Sequence, residues 1–502
     1  MKKVIVIGSG FAGLSAATCL AQEGFDVTVL EKNSTAGGRA RNFESDGFVF
    51  DMGPSWYWMP DVYEKYFKRF GKRVADYYDL QRIDPSYRVF FGEGKLVDVP
   101  SDISALHKLF ESMEPGSSAQ LTKFLEEGAF KYATGMNDLV YKPGLSWREF
   151  ADTKLIAEAF RLNIFQSYAK YVRKFFKSRR LVSMLEFPVL FLGAPPDKIP
   201  ALYSLMNYAD MALGTWYPMG GMYKIIEAML QLAQSLGVRF LFNSPVSQIL
   251  VNTQTATGVS SNGSFHPADF IIAGADYHHV ENDLLPQASR RYSDQYWNSR
   301  TLAPSCLIFY LGINKRIQNI QHHNLFFEED IRQHIHEIYE NPQWPTAPQF
   351  YVCCPSKTDP SVAPDGCENL FVLIPVAPGL EDGEAVREKY FSMVMRRMET
   401  ITGTSIAPHV IFNRSYAHND FVRDYHAFKG NAYGLANTLL QTANFKPGIV
   451  NKKVDNMFYT GQFTVPGPGV PPAIISGQIA AAALSRRSDA KNKKQFFSEP
   501  VS

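Results

Sequence analysis

Apolar positions along this chain follow two rhythms. Residues 4–7 (VIVI) form a short continuous apolar run, as in a strand buried on both faces. Gly8, Gly10 and Gly13 follow, and then Leu14, Ala16, Ala17, Cys19, Leu20 and Ala21 recur at helical spacing. Gly24 closes that helix, and residues 27–30 make a second strand ending on Glu31. Residues 61–80 mix aromatic and charged groups at helical spacing, which predicts a helix after Pro60, and residues 87–99 read as a hairpin about 92–95. From 105 to about 185 the pattern is helical, broken at Pro115-Gly116 and Pro143-Gly144. Gly220-Gly221 feeds a helix over 222–236, strands flank 243–245, and 268–276 is a buried strand ending in Asp276. Residues 302–410 alternate strands (306–313, 350–354, 369–378) with a helix over 384–400. Near the C-terminus a short strand ends at Gly461, and after a Gly/Pro loop Pro471-Pro472 opens a helix. The tail 486–502 is polar and is expected to be disordered.

The first of these segments carries chemistry. G-x-G-x-x-G between strand and helix gives a tight turn at Gly8, bare backbone at Gly10 and a close helix–sheet contact at Gly13. The amides opening the helix then face a phosphate with the positive end of the dipole. Glu31, 23 residues after Gly8, is placed to accept from an adenosine ribose and to repel a 2′-phosphate. Gly37 and Gly38 allow a second close approach, and the forks of Arg39 and Arg41 suit a phosphate or the polarised part of a flavin.

Composition narrows the rest. A length of 502 residues accommodates two or three domains, and a net charge of +2 gives no argument for nucleic acid. The 37 Phe and 25 Tyr fit a long apolar pocket, as they would a large core. Five cysteines show neither metal spacing nor a disulfide framework, which points to a reducing cytoplasm. The pairs His278-His279, His322-His323 and His334/His336 lack a third ligand, so no metal is expected. Gly8 and Gly10 interrupt the opening apolar run too early for a signal peptide. No apolar segment approaches the roughly 18–20 residues of a spanning helix. Lys170, Arg173, Lys174 and Lys177 share one helical face beside Tyr171, Val172, Phe175 and Phe176. That face is either solvated, with the aromatics in the core, or a peripheral membrane contact.

The glycine motif, Glu31, Gly37-Gly38-Arg39 and the stretch FDMGPSWYWMP (50–60) together resemble the superfamily of FAD-dependent amine oxidases and carotenoid desaturases. Residues 187–230 resemble the carotenoid desaturases specifically, through Gly193–Pro196, the IPALYSL helix, Trp216-Tyr217-Pro218 and Gly220-Gly221-Met222; 431–450 and 454–484 do so as well. The resemblance implies bound FAD, contacted by Gly8, Gly10, Phe11, Ala12, Gly13, Glu31, Lys32, Gly38, Arg39, Gly53, Pro54, Ser55, Val246, Asp276, Gly461, Val470 and Pro471. The implied fold class is α/β. A Rossmann-type FAD-binding domain is assembled from 1–100, 201–290 and 448–487, with a helical insertion at 101–200, a mixed-sheet substrate domain at 291–447 and a polar tail at 488–502. The implied activity is that of a phytoene-type desaturase at a membrane surface: an allylic C–H gives hydride to flavin and the neighbouring carbon loses a proton. The polyene delocalises the cation, so the residues single out no catalytic base. Asp210, where the family tends to glutamate, and Gln462-Phe463-Thr464 depart from the pattern at the substrate end. A desaturase of hydroxylated or cyclised carotenoids, a carotenoid isomerase, a flavin amine oxidase and a non-enzymatic lipid escort of the same fold are the other readings.

Overall fold

The computed structural model describes residues 1–92, 94–146, 149, 161–190 and 192–498, the last eight by backbone alone. Residues 147, 148, 150–160 and 191 of the expected helical insertion, and 499–502 of the expected tail, lie outside the described residues.

Five strands far apart in the chain make one parallel sheet, in the order Met457–Tyr459, Phe270–Ala273, Lys3–Ile7, Asp26–Leu30, Arg239–Leu241. Its apolar runs are continuous because both faces are covered. Val4, Val6, Val27 and Val29 pack with Ala16, Leu20 and Ala480 on one face. Ile5, Ile7, Ile271 and Ala273 pack with Tyr277, Leu284 and Trp297 on the other. Two helices lie on the first face at main-chain contact. A methyl group on Gly13 would stand 2.0 Å from the Gly8 carbonyl oxygen, and one on Gly477 2.3 Å from that of Ala12. Ser15 Oγ, in helix Phe11–Gln22, donates to the Ile474 carbonyl of helix Val470–Ser498 at 2.7 Å.

A second sheet of seven strands runs Val410–Tyr416, Ser305–Ile313, Glu368–Val376, Phe350–Cys353, His323–Phe326, Tyr87–Phe90, Leu96–Val99. All its pairings are antiparallel except that of His323–Phe326 with Tyr87–Phe90. Alternate side chains serve two cores. Leu307, Phe309 and Leu311 pack on Val394, Met395 and Met398 of helix Glu384–Thr402, while Cys306, Ile308, Tyr310, Tyr351 and Leu373 face the other way. The hairpin 87–99 therefore belongs to this sheet and not to the nucleotide sheet, where the expected 1–100 boundary had put it.

Helices Ile103–Met113, Ser117–Thr134, Tyr168–Phe175, Arg179–Leu190 and Leu205–Met211 form the helical layer. Asp102 caps the first by accepting from Ala105 N, and Ser167 caps Tyr168–Phe175. In Tyr168–Phe175 the basic groups are exposed, whereas Tyr168, Tyr171 and Val172 are buried. Two other expectations change. The helix over 61–80 stops at Lys68, before Gly71 at φ +71°, and leads through a short 3-10 turn to strand Leu80–Arg82. The polar tail is helical to Ser498, continuing a helix that is already anchored.

Main-chain contact at Gly477 leads to a stability prediction. Gly477→Ala should lower the thermal midpoint by several degrees, in line with an overpacking cost of about 1–3 kcal/mol. Gly10→Ala, with nothing within 4 Å of the added methyl, should leave it unchanged. Equal midpoints for the two variants would contradict the contact.

Candidate functional site

A cavity of about 390 Å³ opens where the parallel strands end, at Gly8, Glu31, Gly274 and Thr460, and reaches across to Cys306, Ile308, Tyr351 and Leu373 of the larger sheet. Ligands of open α/β sheets sit at this end of the strands. Every residue named as an FAD contact lines it except Gly13, and Arg41 stands outside it, paired with Asp424 at 3.0 Å. That glycine lies behind the floor, against the Gly8 carbonyl.

At the glycine end, helix Phe11–Gln22 is preceded by extended Gly10 with no side-chain cap, so its first amides are open to an anion. Glu31 is buried, with both carboxylate oxygens engaged. Oε2 accepts from Ser9 N (2.9 Å) and Ser9 Oγ (2.8 Å), and Oε1 from Asn33 N and Nδ2 (both 2.9 Å). Lys32 Nζ donates to the Arg423 carbonyl at 2.6 Å, and burial lowers its pKa. His279 and His426 stack at 3.9 Å beside it, both in the cavity wall. Asp276 is buried and accepts from His278 N at 3.1 Å; burial raises its pKa. Arg39 lies half-buried over the Tyr425 ring, reaches the Asn431 carbonyl at 3.4 Å, and has no hydrogen-bond partner for its buried Nε. A glycine floor, open helix amides and a half-buried guanidinium with a spare donor fit a dinucleotide carrying a polarised ring.

The opposite end is apolar. Trp56, Trp58, Met59, Leu192, Met206, Ile308 and Phe421 form its walls. Trp56 stacks on His323 at 3.9 Å. Asp210 lies behind this wall. It accepts from Tyr87 OH (3.1 Å) and Thr215 Oγ1 (3.2 Å), while Trp58 Nε1 donates to the same Thr215 at 2.8 Å. Asp210 thus steadies a cavity tryptophan without lining the cavity.

Sequence spacing gave His322-His323 no third ligand, but the fold supplies one. His323 pairs across strands with Cys353, and the three side chains converge in the interior. Burial pushes His322 down to about 3, His323 well below its usual range, and the Cys353 thiol up to about 12. The Nδ1 atoms are engaged, His322 with Thr358 Oγ1 (2.7 Å) and His323 with Tyr351 OH (2.6 Å). Tyr351 and the two tryptophans were not singled out as site residues. Alternation along residues 350–354 marks which of them share a face, but not that this face borders the cavity.

Burial raises Asp210 from its ordinary 3.8 to about 7. The folded chain thus holds a proton that the unfolded chain releases, and the corresponding stability is lost as pH rises from about 4 through about 7. Asp210→Asn should remove this slope, so that its thermal midpoint overtakes the parent's above neutrality. Parallel midpoint–pH curves would assign the slope elsewhere.

Residues 11–485 match the family described as flavin containing amine oxidoreductase. Over 482 residues the chain is 40% identical to a carotenoid 3,4-desaturase of Haloarcula japonica, covering 96% of this chain and 97% of the relative. It is 33% identical to a zeta-carotene-forming phytoene desaturase of Myxococcus xanthus, covering 96% and 94%. Among solved structures, a putrescine oxidase variant superposes with a TM-score of 0.63 at 14% identity, covering 97% of this chain and 99% of that one. At that identity the likeness is one of fold.

Proposed function

The chain belongs to the flavin-containing amine oxidoreductase family, on its carotenoid-desaturase branch, and from that premise we propose that it desaturates an acyclic, phytoene-like carotenoid. It is an FAD-dependent oxidoreductase acting on CH–CH groups. The observation that carries the substrate reading is a continuous cavity running from a glycine-floored, cationic end to a wall of tryptophan, methionine and aliphatic side chains. FAD supplies the hydride acceptor when bound. The protein's part is placement: the Phe11–Gln22 amides hold the pyrophosphate, and Arg39 the polarised ring. Glu31 receives the ribose hydroxyls in place of the Ser9 and Asn33 side chains. The apolar wall lays an allylic C–H in reach and keeps water from the cation.

Anaerobic addition of phytoene in liposomes should bleach the bound flavin. Oxygen or a quinone should restore its colour and yield a product absorbing at longer wavelength, without NAD(P)H. Altered double-bond geometry with no gain in conjugation and no acceptor consumed would make the protein an isomerase.

The same reading places the protein on a membrane, where such a substrate dissolves. No helix among the described residues is long and apolar enough to cross one. Tyr168–Phe175 presents charge but buries Tyr168, Tyr171 and Val172. The apolar contact we assign instead lies at Leu145 (54% exposed), Leu439 (41%), Leu440 (70%) and Phe445 (45%). These belong to adjoining turns, since Gly144 packs on Asn444 and Val465. Leu439→Asp with Leu440→Asp should reduce pelleting with liposomes at all salt concentrations. Loss only on charge reversal of Lys170, Arg173, Lys174 and Lys177, and only at low salt, would return the contact to the basic helix.

A further inference from the structure

A second, smaller cavity lies behind the first. It offers about 20 Å³ to the centre of a water molecule, and its walls include Asp51, Ser55, Tyr217 and Cys353. That is room for one water, provided that polar groups can hold it. Three hydroxyl or carboxyl groups are at hand: the Asp51 carboxylate, the Ser55 hydroxyl and the Tyr217 hydroxyl, which is buried beside the Asp359 carboxylate.

Ser55 is common to both cavities. Tyr351, in the wall of the large one, donates to Ser55 Oγ at 3.0 Å. The same phenolic oxygen lies 2.6 Å from Nδ1 of His323, which burial keeps neutral. With Tyr351 donating to Ser55, the bond to His323 requires the Nδ1–H tautomer, an assignment made from the network. His323 therefore turns the phenol proton towards Ser55 and leaves the second phenolic lone pair with no stronger neighbour than the Cys353 thiol.

Asp51, at the far side, ends strand Phe48–Asp51 and accepts from Met222 N (2.7 Å) and Tyr223 N (3.0 Å) at the start of helix Tyr223–Ser235. Each oxygen takes one backbone donor and keeps a lone pair. Burial nonetheless pushes its carboxyl up to about 6, against those two bonds. The titratable groups around it are Tyr217 and Cys353 across the small cavity, with Asp359 and His322 beyond Tyr217, and burial keeps that imidazole neutral. Burial holds the phenol and the thiol neutral.

We propose that Tyr351, Ser55 and one water in the small cavity form a proton path to Asp51, which receives the proton a carotenoid gives up after its hydride has left. The proposal rests on the desaturase reading. The C–H bond beside the cationic carbon breaks, and its electron pair becomes the second bond of the new C=C. The proton goes to the Tyr351 oxygen as the phenol proton passes to Ser55, the Ser55 proton to the water, and a water proton to Asp51. The other electron pair has already left with the hydride to bound FAD, so no further reactant is required. Tyr351 is the catalytic residue here, and His323 is a positioning residue.

The test uses the full-length, FAD-replete protein and the variants Tyr351→Phe, Ser55→Ala and Asp51→Asn. Infrared titration, which needs no turnover, should show a protonated-carboxyl band growing as pH falls through about 6, absent from Asp51→Asn. In single turnover with phytoene liposomes, at matched flavin occupancy, Tyr351→Phe and Ser55→Ala should each slow product formation about 100-fold. The parent rate should rise with pH about a midpoint near 6, and Asp51→Asn should be slow and pH-independent. If Asp51→Asn does not fold, because it caps a helix, the other two variants still decide. Rates within about threefold of the parent in both would overturn the path. A parent protein whose flavin does not bleach with the carotenoid would overturn the desaturase reading instead, whatever the infrared band shows.

Discussion

Two of the closest main-chain contacts position the site, and it depends on both. Gly13 lets the first helix rest on the Gly8 carbonyl, and Gly477 lets the last helix rest on the Ala12 carbonyl. Interiors are packed densely enough that a single methyl cannot be absorbed between rigid backbones. The first contact brings the open amides of Phe11–Gln22 to the cavity floor. The second places Val470 and Pro471 on the cavity's other side, where the Thr460 hydroxyl, Gly461 N and Ser476 Oγ are tied together at 3.0 Å. Floor and wall thus come from opposite ends of the chain.

Most of that framework was legible in the residues. A buried parallel strand needs an unbroken apolar run, a close helix needs glycine, and both signals are local. What was not legible is pairing at a distance. Tyr87–Phe90 spells a strand, but its partner His323–Phe326 lies more than two hundred residues on, and nothing near residue 87 names that partner. The same register sets Cys353 opposite His323 and turns a spacing without a third ligand into a converging trio. Glu31 was legible as an acceptor, but Ser9 and Asn33 as its present donors were not, because short polar residues in a turn point to many local bonds equally well. The tail was misread from composition. Polar residues following an anchored helix extend it at small cost, since nucleation has already been met.

Burial does different work at the two ends of the cavity. At the glycine end it strips water from Arg39 and Lys32, lowering the pKa of both and leaving donors with few competitors. Beyond the apolar wall it holds carboxyls high, Asp210 at about 7 and Asp51 at about 6. Asp51 shows that a helix cap and a titrating group can be one residue, as each oxygen needs only one of its lone pairs for the backbone.

The strand order of the parallel sheet also bears on how the protein is made. Its middle strand Lys3–Ile7 is translated long before its edge strand Met457–Tyr459. Until the ribosome has passed residue 459, Phe270–Ala273 has an unpaired edge, and until it has passed 477 the first helix lacks its neighbour. An uncovered edge of this kind is a template for pairing between chains. The nucleotide site therefore cannot close before residue 477 has been made. A cell producing this protein faster than it can shield such chains would lose it to aggregation before any cofactor could bind.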